Sequence, residues 1–236
     1  MVELLIDVIL SYLYGPSARI KFSEMEYVYE KVGLWKVYSL WQCASLIVEE
    51  YSKLGYMGNH ALSKLKIFSG YYYKREIVFR CTVAGKLQAT LALIPDNGSL
   101  PSEGIFPEVD SLRQYGEIAE LGNLARDPSL GQGKISFEPI MTLALRWAVH
   151  TGVKTCFLSA IPSHGAFYRR SGFQYLAGGE SRPHPKVNNI EGVGMTICLS
   201  EVEANTYTGG NLCKYQTLAE CTKTPLEAVK PVVIPW

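Results

Sequence analysis

The chain has 236 residues, 47% of them hydrophobic, and its 23 lysines and arginines almost balance its 22 aspartates and glutamates. This composition excludes an intrinsically disordered chain and predicts one main globular domain with a core of its own. A net charge of +1 gives no global field that would attract nucleic acid or an anionic membrane, so an acidic partner must be recognised by a local patch.

The N-terminal segment is apolar as far as Tyr14, but it carries Glu3 and Asp7 and has neither a basic region nor a cleavage site. These features argue against a signal peptide, and the apolar run is too short to span a bilayer. We expect residues 1–17 to form a helical extension packed on the domain. Weak peripheral contact with a membrane is the alternative.

Residues 18–200 contain the predicted elements of the main domain. Strands are predicted for β-rich runs bounded by turn residues: 18–22, 76–83, 86–93, 118–124, 155–160, 173–176 and 195–199. Helices are predicted over 37–54, 137–150 and 165–171. The stretch 95–116 is rich in turn residues and predicts an ordered excursion without regular structure, and the tail 201–236 predicts a surface wrap or partial disorder. This order indicates the α/β (α+β) class, with a mixed sheet and helices on its faces.

A glycine-containing loop joins the predicted strand 118–124 to the predicted helix 137–150. Unpaired N–H groups and the helix dipole make such a helix start a potential anion site. The candidate residues are Gly131, Gln132, Gly133 and Lys134. A plain turn that happens to contain two glycines is the alternative.

The six cysteines are spread along the chain without metal-ligand spacing. They are Cys43, Cys81, Cys156, Cys198, Cys213 and Cys221. We expect free thiols in a reducing cytosol, and no metal site. No cysteine has a partner histidine in a recognisable arrangement, which disfavours catalysis by a thiol nucleophile.

A second motif lies about one strand downstream of the glycine-loop helix: Ala166-Phe-Tyr168-Arg169-Arg170-Ser-Gly172-Phe173. Together with the strand and the glycine loop, it resembles the GCN5-related N-acetyltransferase (GNAT) superfamily. That resemblance implies the acyl-CoA N-acyltransferase fold, a mostly antiparallel central sheet flanked by helices. It also implies that the glycine loop grips the pantetheine pyrophosphate and that Tyr168 protonates the leaving thiolate. A tyrosine that only packs and hydrogen-bonds is the alternative.

Three further stretches are similar to the long-chain N-acyl amino acid synthases of bacteria. Residues 85–113 resemble that family's strand and following loop, residues 119–125 its Glu-x-x-Arg-Leu-Ala strand, and residues 180–188 its Arg-Pro-Tyr-Pro-Gly-Val-Asn segment. The resemblance spans residues 38–199. The acyl-homoserine lactone synthases share the Glu-x-x-Arg strand and are a competing resemblance.

The resemblance implies an enzyme that moves a medium or long acyl chain from an acyl carrier protein or coenzyme A thioester to the amine of an amino acid, by direct attack. It implies a cytoplasmic location and no permanent cofactor, with acyl carrier protein and the amino acid as partners. Three alternatives remain: a generic acetyl-CoA-dependent acetyltransferase, a lactone synthase that uses S-adenosylmethionine, and a non-catalytic acyl-binding module.

Such chemistry needs a base for the amine, a donor for the oxyanion and an acid for the thiolate. By the resemblance, Glu120 orients or deprotonates the amine, and a backbone N–H near Leu124 or Ala125 stabilises the oxyanion. Arg182 and His184 stand where the acceptor carboxylate could be received. The alternatives are a buried glutamate paired for structure and loop charges that are only solvated.

Two arginines of the family pattern are absent. Asn123 replaces the arginine of the Glu-x-x-Arg strand, and Trp41 stands in the Leu-Arg pair ahead of Val48-Glu49-Glu50. Neither side chain reproduces a guanidinium fork, so we expect substrate contacts around Glu49 and Asn123 to differ, or activity to be weak.

Acyl carrier protein is strongly acidic, so a docking face must be basic. We expect it on the elements that flank the thioester channel, at Lys134, Arg146, Arg169 and Arg170.

Overall fold

The computed structural model describes residues 17–22, 25–58, 61–129 and 133–199. Within them, nine strands form one sheet: β1 (Ser17–Phe22), β2 (Met25–Val32), β3 (Ile77–Val83), β4 (Lys86–Pro95), β5 (Ile118–Arg126), β6 (Thr155–Ala160), β7 (Gln174–Tyr175), β8 (Ser181–His184) and β9 (Ile190–Cys198). The helices of the same region are α1 (Val37–Lys53), α2 (Ala61–Tyr73), α3 (Glu108–Leu112), α4 (Gly133–His150) and α5 (Gly165–Arg170).

The strand order is β1-β2-β3-β4-β5-β6-β9-β7, and β8 pairs with the same strand, β9, as β7 does. Every pair in the described sheet is antiparallel except β5 with β6. The crossover through α4 makes that pair parallel, as strand-helix-strand units require. The predicted mixed, mostly antiparallel sheet flanked by helices is therefore confirmed.

Helices and a long loop cover both faces of the sheet, so β4 is buried almost throughout its length. On one face, α4 packs Ile140 and Ala144 against β3, β4 and β5. On the other face, α1 packs over β4 and β5 and α2 packs against α1, in a cluster that includes Val78 of β3 and Ala125 of β5. Beside α1 and α2, the loop between β4 and β5 packs Phe106 against Phe157 of β6, with ring centroids 5.8 Å apart.

The turns agree with their residues. Ala84 and Gly85 between β3 and β4 both have positive φ, 48° and 77°, as a tight hairpin turn between twisted strands demands. Gly55 takes a φ of 75° just after the end of α1, where glycine has no steric penalty.

Several elements differ from the sequence-based expectation. The stretch 95–116 was expected to lack regular structure, but β4 runs to Pro95 and the stretch contains α3. The expected strand 173–176 is only β7, because a 3-10 turn over 176–179 follows at once. Unpredicted elements are β2, α2 and β8, and β9 begins five residues before the expected 195.

The predictions for the N-terminal extension and the tail lie outside the described residues, apart from Ser17, which begins β1. In the described part of the chain, no helix is both long and apolar enough to cross a membrane.

Candidate active site

The sheet opens between its two parallel strands. β5 and β6 pair from Ile118 with Thr155 to Glu120 with Phe157, and then the ladder ends although both strands continue. We call the gap between the remaining parts of β5 and β6 the sheet opening. Backbone groups along this part of β5 are freed from the ladder on one side, so they are available to a linear ligand.

A β-bulge lies in β5 beside the sheet opening. Ala92 of β4 pairs with Gly122 and Thr90 pairs with Ala125, so Asn123 and Leu124 face a single residue of β4. Asn123 has a φ of 53°, a left-handed conformation that asparagine adopts more readily than arginine. The departure from the family's arginine therefore has a local reason in the backbone.

Glu120 lies on β5 at the point where the strands separate, and it is 4% exposed. Its carboxylate accepts two hydrogen bonds from Ser102, at 3.0 Å from the backbone N–H and 2.7 Å from the hydroxyl. Burial raises the pKa of Glu120 to about 7, although the Ser102 hydrogen bonds and the charges of Lys186 and Lys74 act in the opposite direction. This carboxyl can therefore exchange a proton near neutral pH.

A second buried carboxyl shares this face of the sheet. Glu120 of β5 pairs with Ile94 of β4. On the other side of β4, Ile77 pairs with Leu93, so Glu76, which precedes Ile77, lies beside Ile94. Glu76 and Glu120 therefore flank Ile94 on the same face of the sheet. Burial raises the pKa of Glu76 to about 7, and the charge of Glu120 adds to that rise. The Asn123 amide donates to Glu76 at 3.1 Å, which favours the ionised form. Two buried acids thus lie on this face of the sheet, Glu76 against Gly70 of α2 and Glu120 against Ser102.

The segment 96–116 covers Glu120, and we call it the cap loop. Arg113 gathers three carboxylates of this loop: its guanidinium lies 2.5 Å from Asp96, 2.7 Å from Glu103 and 2.7 Å from Asp110. A bidentate fork of this kind fixes orientation as well as distance. The cap loop thereby holds Ser102 against Glu120.

Arg182 of β8 ties the cap loop to the rest of the sheet. Its guanidinium donates to both oxygens of Glu108, at 2.8 and 2.6 Å, and to the Ile105 carbonyl at 3.1 Å. Glu180 accepts a further hydrogen bond at 2.7 Å. The fork that we expected to receive an acceptor carboxylate is thus engaged by carboxylates of the protein itself. Binding of a substrate carboxylate by Arg182 would require one of these pairs to break.

Tyr168 of α5 is buried between Phe167 and Phe173, with ring centroids 5.2 and 5.8 Å away. Burial raises its pKa to about 12. Tyr51 of α1 is near enough for ionisation of Tyr168 to raise the pKa of Tyr51, and the Tyr51 hydroxyl is hydrogen-bonded to the Leu124 backbone. Since Tyr51 packs with α1 on one face and Tyr168 packs in the core of the other, the two tyrosines approach the sheet opening from opposite faces.

Other predicted site residues lie elsewhere. Glu49 is on the exposed side of α1, 3.7 Å from Lys64 of α2, and the structure does not bring it together with Glu120. His184 is half-buried beside the cap loop, and its Nδ1 is buried without a partner among the described residues. Trp41 packs edge-on against Phe68 of α2, 5.5 Å away.

Part of the expected donor site lies outside the described residues, namely Gly131, Gln132 and the side chain of Lys134. Gly133 is the first residue of α4. Of the expected docking residues, Arg146 is half-buried, whereas Arg169 and Arg170 are exposed on α5 next to Tyr168. Within the described residues, no three His, Cys, Asp or Glu side chains are grouped to hold a metal ion.

Sequence reasoning missed four residues of this site: Ser102, Glu76, Tyr51 and Lys186. Tyr51 carried a usable signal, since it follows buried Ile47 by four residues on the sheet-facing side of α1. Ser102 and Lys186 lie in loops, where only tertiary contacts reveal a role.

The comparisons with known proteins agree with this geometry. The family model of the N-acyl amino acid synthase FeeM matches residues 42–198. The solved structure of FeeM, an N-acyl amino acid synthase from uncultured soil microbes, superposes with a TM-score of 0.63 at 20% identity, over 77% of this chain and 95% of that chain. Among curated proteins, no sequence matches the chain.

Two acetyltransferases share the fold more distantly. An aminoglycoside 6'-acetyltransferase type Ii superposes with a TM-score of 0.51 at 14% identity, over 72% of this chain and 96% of that one. A GNAT-family acetyltransferase from Streptococcus pneumoniae gives 0.51 at 11% identity, over 73% and 98%. Since the family model covers most of the domain and the sheet opens as described, the chain belongs to the N-acyl amino acid synthase FeeM family and is an N-acyltransferase of the GNAT fold.

Proposed function

We propose that this enzyme transfers a medium or long acyl chain from an acyl carrier protein or coenzyme A thioester to the amine of an amino acid. The observation that carries the proposal is Glu120, a buried carboxyl with a pKa of about 7 where β5 and β6 separate. A general base works best when its pKa lies near the working pH. The family supports acyl transfer to an amine, and the particular donor and acceptor are our proposal.

In this mechanism the thioester lies in the sheet opening and the amine approaches beside Glu120. The amine nitrogen attacks the thioester carbonyl carbon, and Glu120 takes the amine proton directly or through water. A backbone N–H of Ala125, or that of Leu124 once the oxyanion displaces the Tyr51 hydroxyl from the Leu124 backbone, donates to the oxyanion. As the C–S bond breaks, Tyr168 gives its proton to sulfur, and its raised pKa keeps that proton in place until then. The products are an amide and a free thiol.

Direct attack fits the state of the buried cysteines. Burial raises the pKa of Cys43 to about 11 and the pKa values of Cys81 and Cys156 to about 12. Since the thiolate is the nucleophilic form, these thiols are unreactive at neutral pH. An acyl-cysteine intermediate on any of these three residues is therefore disfavoured.

The acyl donor would bind at the end of the sheet opening that is farther from Glu120. The start of α4, with Gly131, Gln132, Gly133 and Lys134, would bind the phosphate of the pantetheine arm. Arg169 and Arg170 on α5, with Arg146 and Lys134 of α4, would meet the acidic carrier protein. Reversing the charges of Arg169 and Arg170 should then slow transfer from the carrier protein more than transfer from coenzyme A.

The test is product analysis by mass spectrometry. The purified protein is incubated with a mixture of amino acids and with acyl donors from acetyl to long-chain, each on coenzyme A and on acyl carrier protein. We expect N-acyl amino acids from the longer chains, with much less product from Glu120→Gln. The control is Glu117→Gln, an exposed glutamate just before β5. Acetyl transfer alone would instead identify a generic acetyltransferase, and bound lipid without turnover would identify a binding module.

A further inference from the structure

Lys186 lies next to the candidate base although it is distant in sequence. It belongs to the 3-10 turn over 185–187, and its ammonium donates a hydrogen bond to the Pro101 carbonyl. The following residue, Ser102, makes both hydrogen bonds to Glu120. On its other side the turn is fixed by Asn188, whose amide donates to the Gly55 carbonyl at 2.5 Å. Lys186 thus bonds to Pro101, the residue before the hydrogen-bond partner of Glu120, and its ammonium is held near the Glu120 carboxyl.

Two further lysines lie near Lys186: Lys66 of α2, and Lys74 directly after the end of α2. The charges of Lys74 and Lys66 act on Lys186, and the charge of Lys74 also acts on Glu120 and Glu76. In the described part of the chain, none of the three lysines forms an ion pair with a carboxylate within 4.0 Å. Cations gathered in this way repel one another unless an anion lies among them.

The nearby acids do not neutralise these lysines at neutral pH. Burial keeps the pKa values of both Glu120 and Glu76 at about 7, so each is only partly ionised there. These lysines differ from Arg113 and Arg182, each of which forms ion pairs with more than one carboxylate. Among the described residues, the three lysines therefore have no full counter-charge, and a bound anion can supply it.

We propose that Lys186, supported by Lys74 and Lys66, binds the carboxylate of an α-amino acid acceptor and thereby selects acceptors that carry a free carboxylate. This inference rests on the proposed function and names the subsite that gives it an amino acid. In an α-amino acid the carboxylate is attached to the carbon that bears the amine. A cation that binds it must therefore lie beside the base that receives the amine proton, as Lys186 does.

The phosphate of the acyl donor is a poorer candidate for this subsite. The start of α4 follows β5 beyond Arg126, and Arg126 is six residues from Glu120, about 20 Å along a strand. The lysines also lie on the face covered by α2 and the cap loop, whereas α4 packs on the opposite face. An anion bound beside Glu120 therefore comes from the acceptor.

Two departures from the family's sequence pattern fit this role together. The arginine of the Glu-x-x-Arg strand is Asn123 here, and the glycine of the Arg-Pro-Tyr-Pro-Gly-Val-Asn segment is Lys186. A cation is thus lost from β5 and another is gained in the turn over 185–187. Arg182, the earlier candidate for the carboxylate, is engaged by Glu108.

The experiment compares acylation of an amino acid with acylation of the same compound as its primary amide, which keeps the amine and loses the carboxylate charge. The amino acid used is the one that the wild-type protein acylates fastest. We expect Lys186→Met to raise the KM for the amino acid about 10-fold or more and to leave the KM for the amide unchanged. Lys186→Arg should keep most of the preference, and Lys86→Met, an exposed lysine of the β3–β4 hairpin, should change neither KM. An equal effect of Lys186→Met on both acceptors, or no effect, would overturn the proposal.

A second readout separates this proposal from the proposed function. Isothermal titration of a mixture of free amino acids into the protein without acyl donor reports binding alone. Binding by the wild type that is lost in Lys186→Met supports the subsite even if no acyl transfer is found. Equal heat from both proteins, or none from either, counts against the subsite whatever the turnover assay shows. Matching thermal melting curves establish that Lys186→Met is folded.

Discussion

Replacing Glu76 by glutamine should stabilise the protein at alkaline pH and leave its stability unchanged in acid. The pKa of this buried carboxyl is raised from 4.5 to about 7, so the folded chain keeps the proton where the unfolded chain has lost it. The folded state therefore binds more protons between these pH values, and the free energy of unfolding falls as pH rises through that window. At about 1.4 kcal/mol per pH unit, the loss reaches about 3 kcal/mol.

Glutamine is uncharged at every pH, and its carbonyl oxygen can still accept the hydrogen bond from Asn123. We expect Glu76→Gln and the wild type to unfold at similar urea concentrations near pH 4, below the unfolded pKa of 4.5, where Glu76 is largely protonated in both the folded and the unfolded state. Near pH 8 the variant should be more stable by up to about 3 kcal/mol. Glu117→Gln, exposed at the start of β5, should follow the wild type throughout. Parallel pH profiles for Glu76→Gln and the wild type would refute the reasoning.

Two further substitutions probe the groups around the sheet opening. Ser102→Ala removes the hydroxyl that donates to Glu120 at 2.7 Å, so the pKa of Glu120 should rise. The acidic limb of the pH profile of kcat/KM should then move to higher pH, and an unmoved limb would contradict this. Tyr168→Phe keeps the ring packing with Phe167 and Phe173 but removes the phenol that would protonate the thiolate. The value of kcat should fall by about 100-fold with an unchanged melting temperature. Full activity would exclude Tyr168 as the proton donor.

Local patterns in the sequence were sufficient for the elements that they determine. Helix α1 has a buried stripe from Leu40 to Val48, and the β3–β4 hairpin has a two-residue turn with glycine. The succession of β5, glycine loop, α4 and β6 follows from the change of hydrophobic period. These same elements carry Glu120 and build the sheet opening, but Glu120 itself was predicted as the base from the resemblance to the synthase family and not from these patterns.

The missed elements lack such a pattern. Helix α2 buries only Gly70 and Tyr71 and exposes Leu62 and Leu65, so it has no apolar stripe to mark it. Gly70 nevertheless lets α2 cross close to Glu76, since a Cβ there would lie 2.8 Å from the carboxylate and the Glu76 side chain would have to shift. β8 contains a proline and exists because β9 offers an edge to pair with.

The side chains around Glu120 come from distant parts of the chain. Ser102 is 18 residues from Glu120, and Arg182 is 74 residues from Glu108. Arg182 looked like a cation available to substrate because nothing near it in sequence shows that the cap loop brings Glu108 to it. Contacts of this range depend on the tertiary fold, which local patterns do not encode.

The central claim is that Glu120 accepts the amine proton with a pKa of about 7. The most direct test is the pH dependence of kcat/KM for acyl transfer in the wild type, Glu120→Gln and Glu117→Gln. The account predicts that wild-type kcat/KM rises through an inflection near pH 7, and that Glu120→Gln is slower by at least about 100-fold and lacks this inflection. A Glu120→Gln variant that keeps both its rate and the inflection would contradict the account.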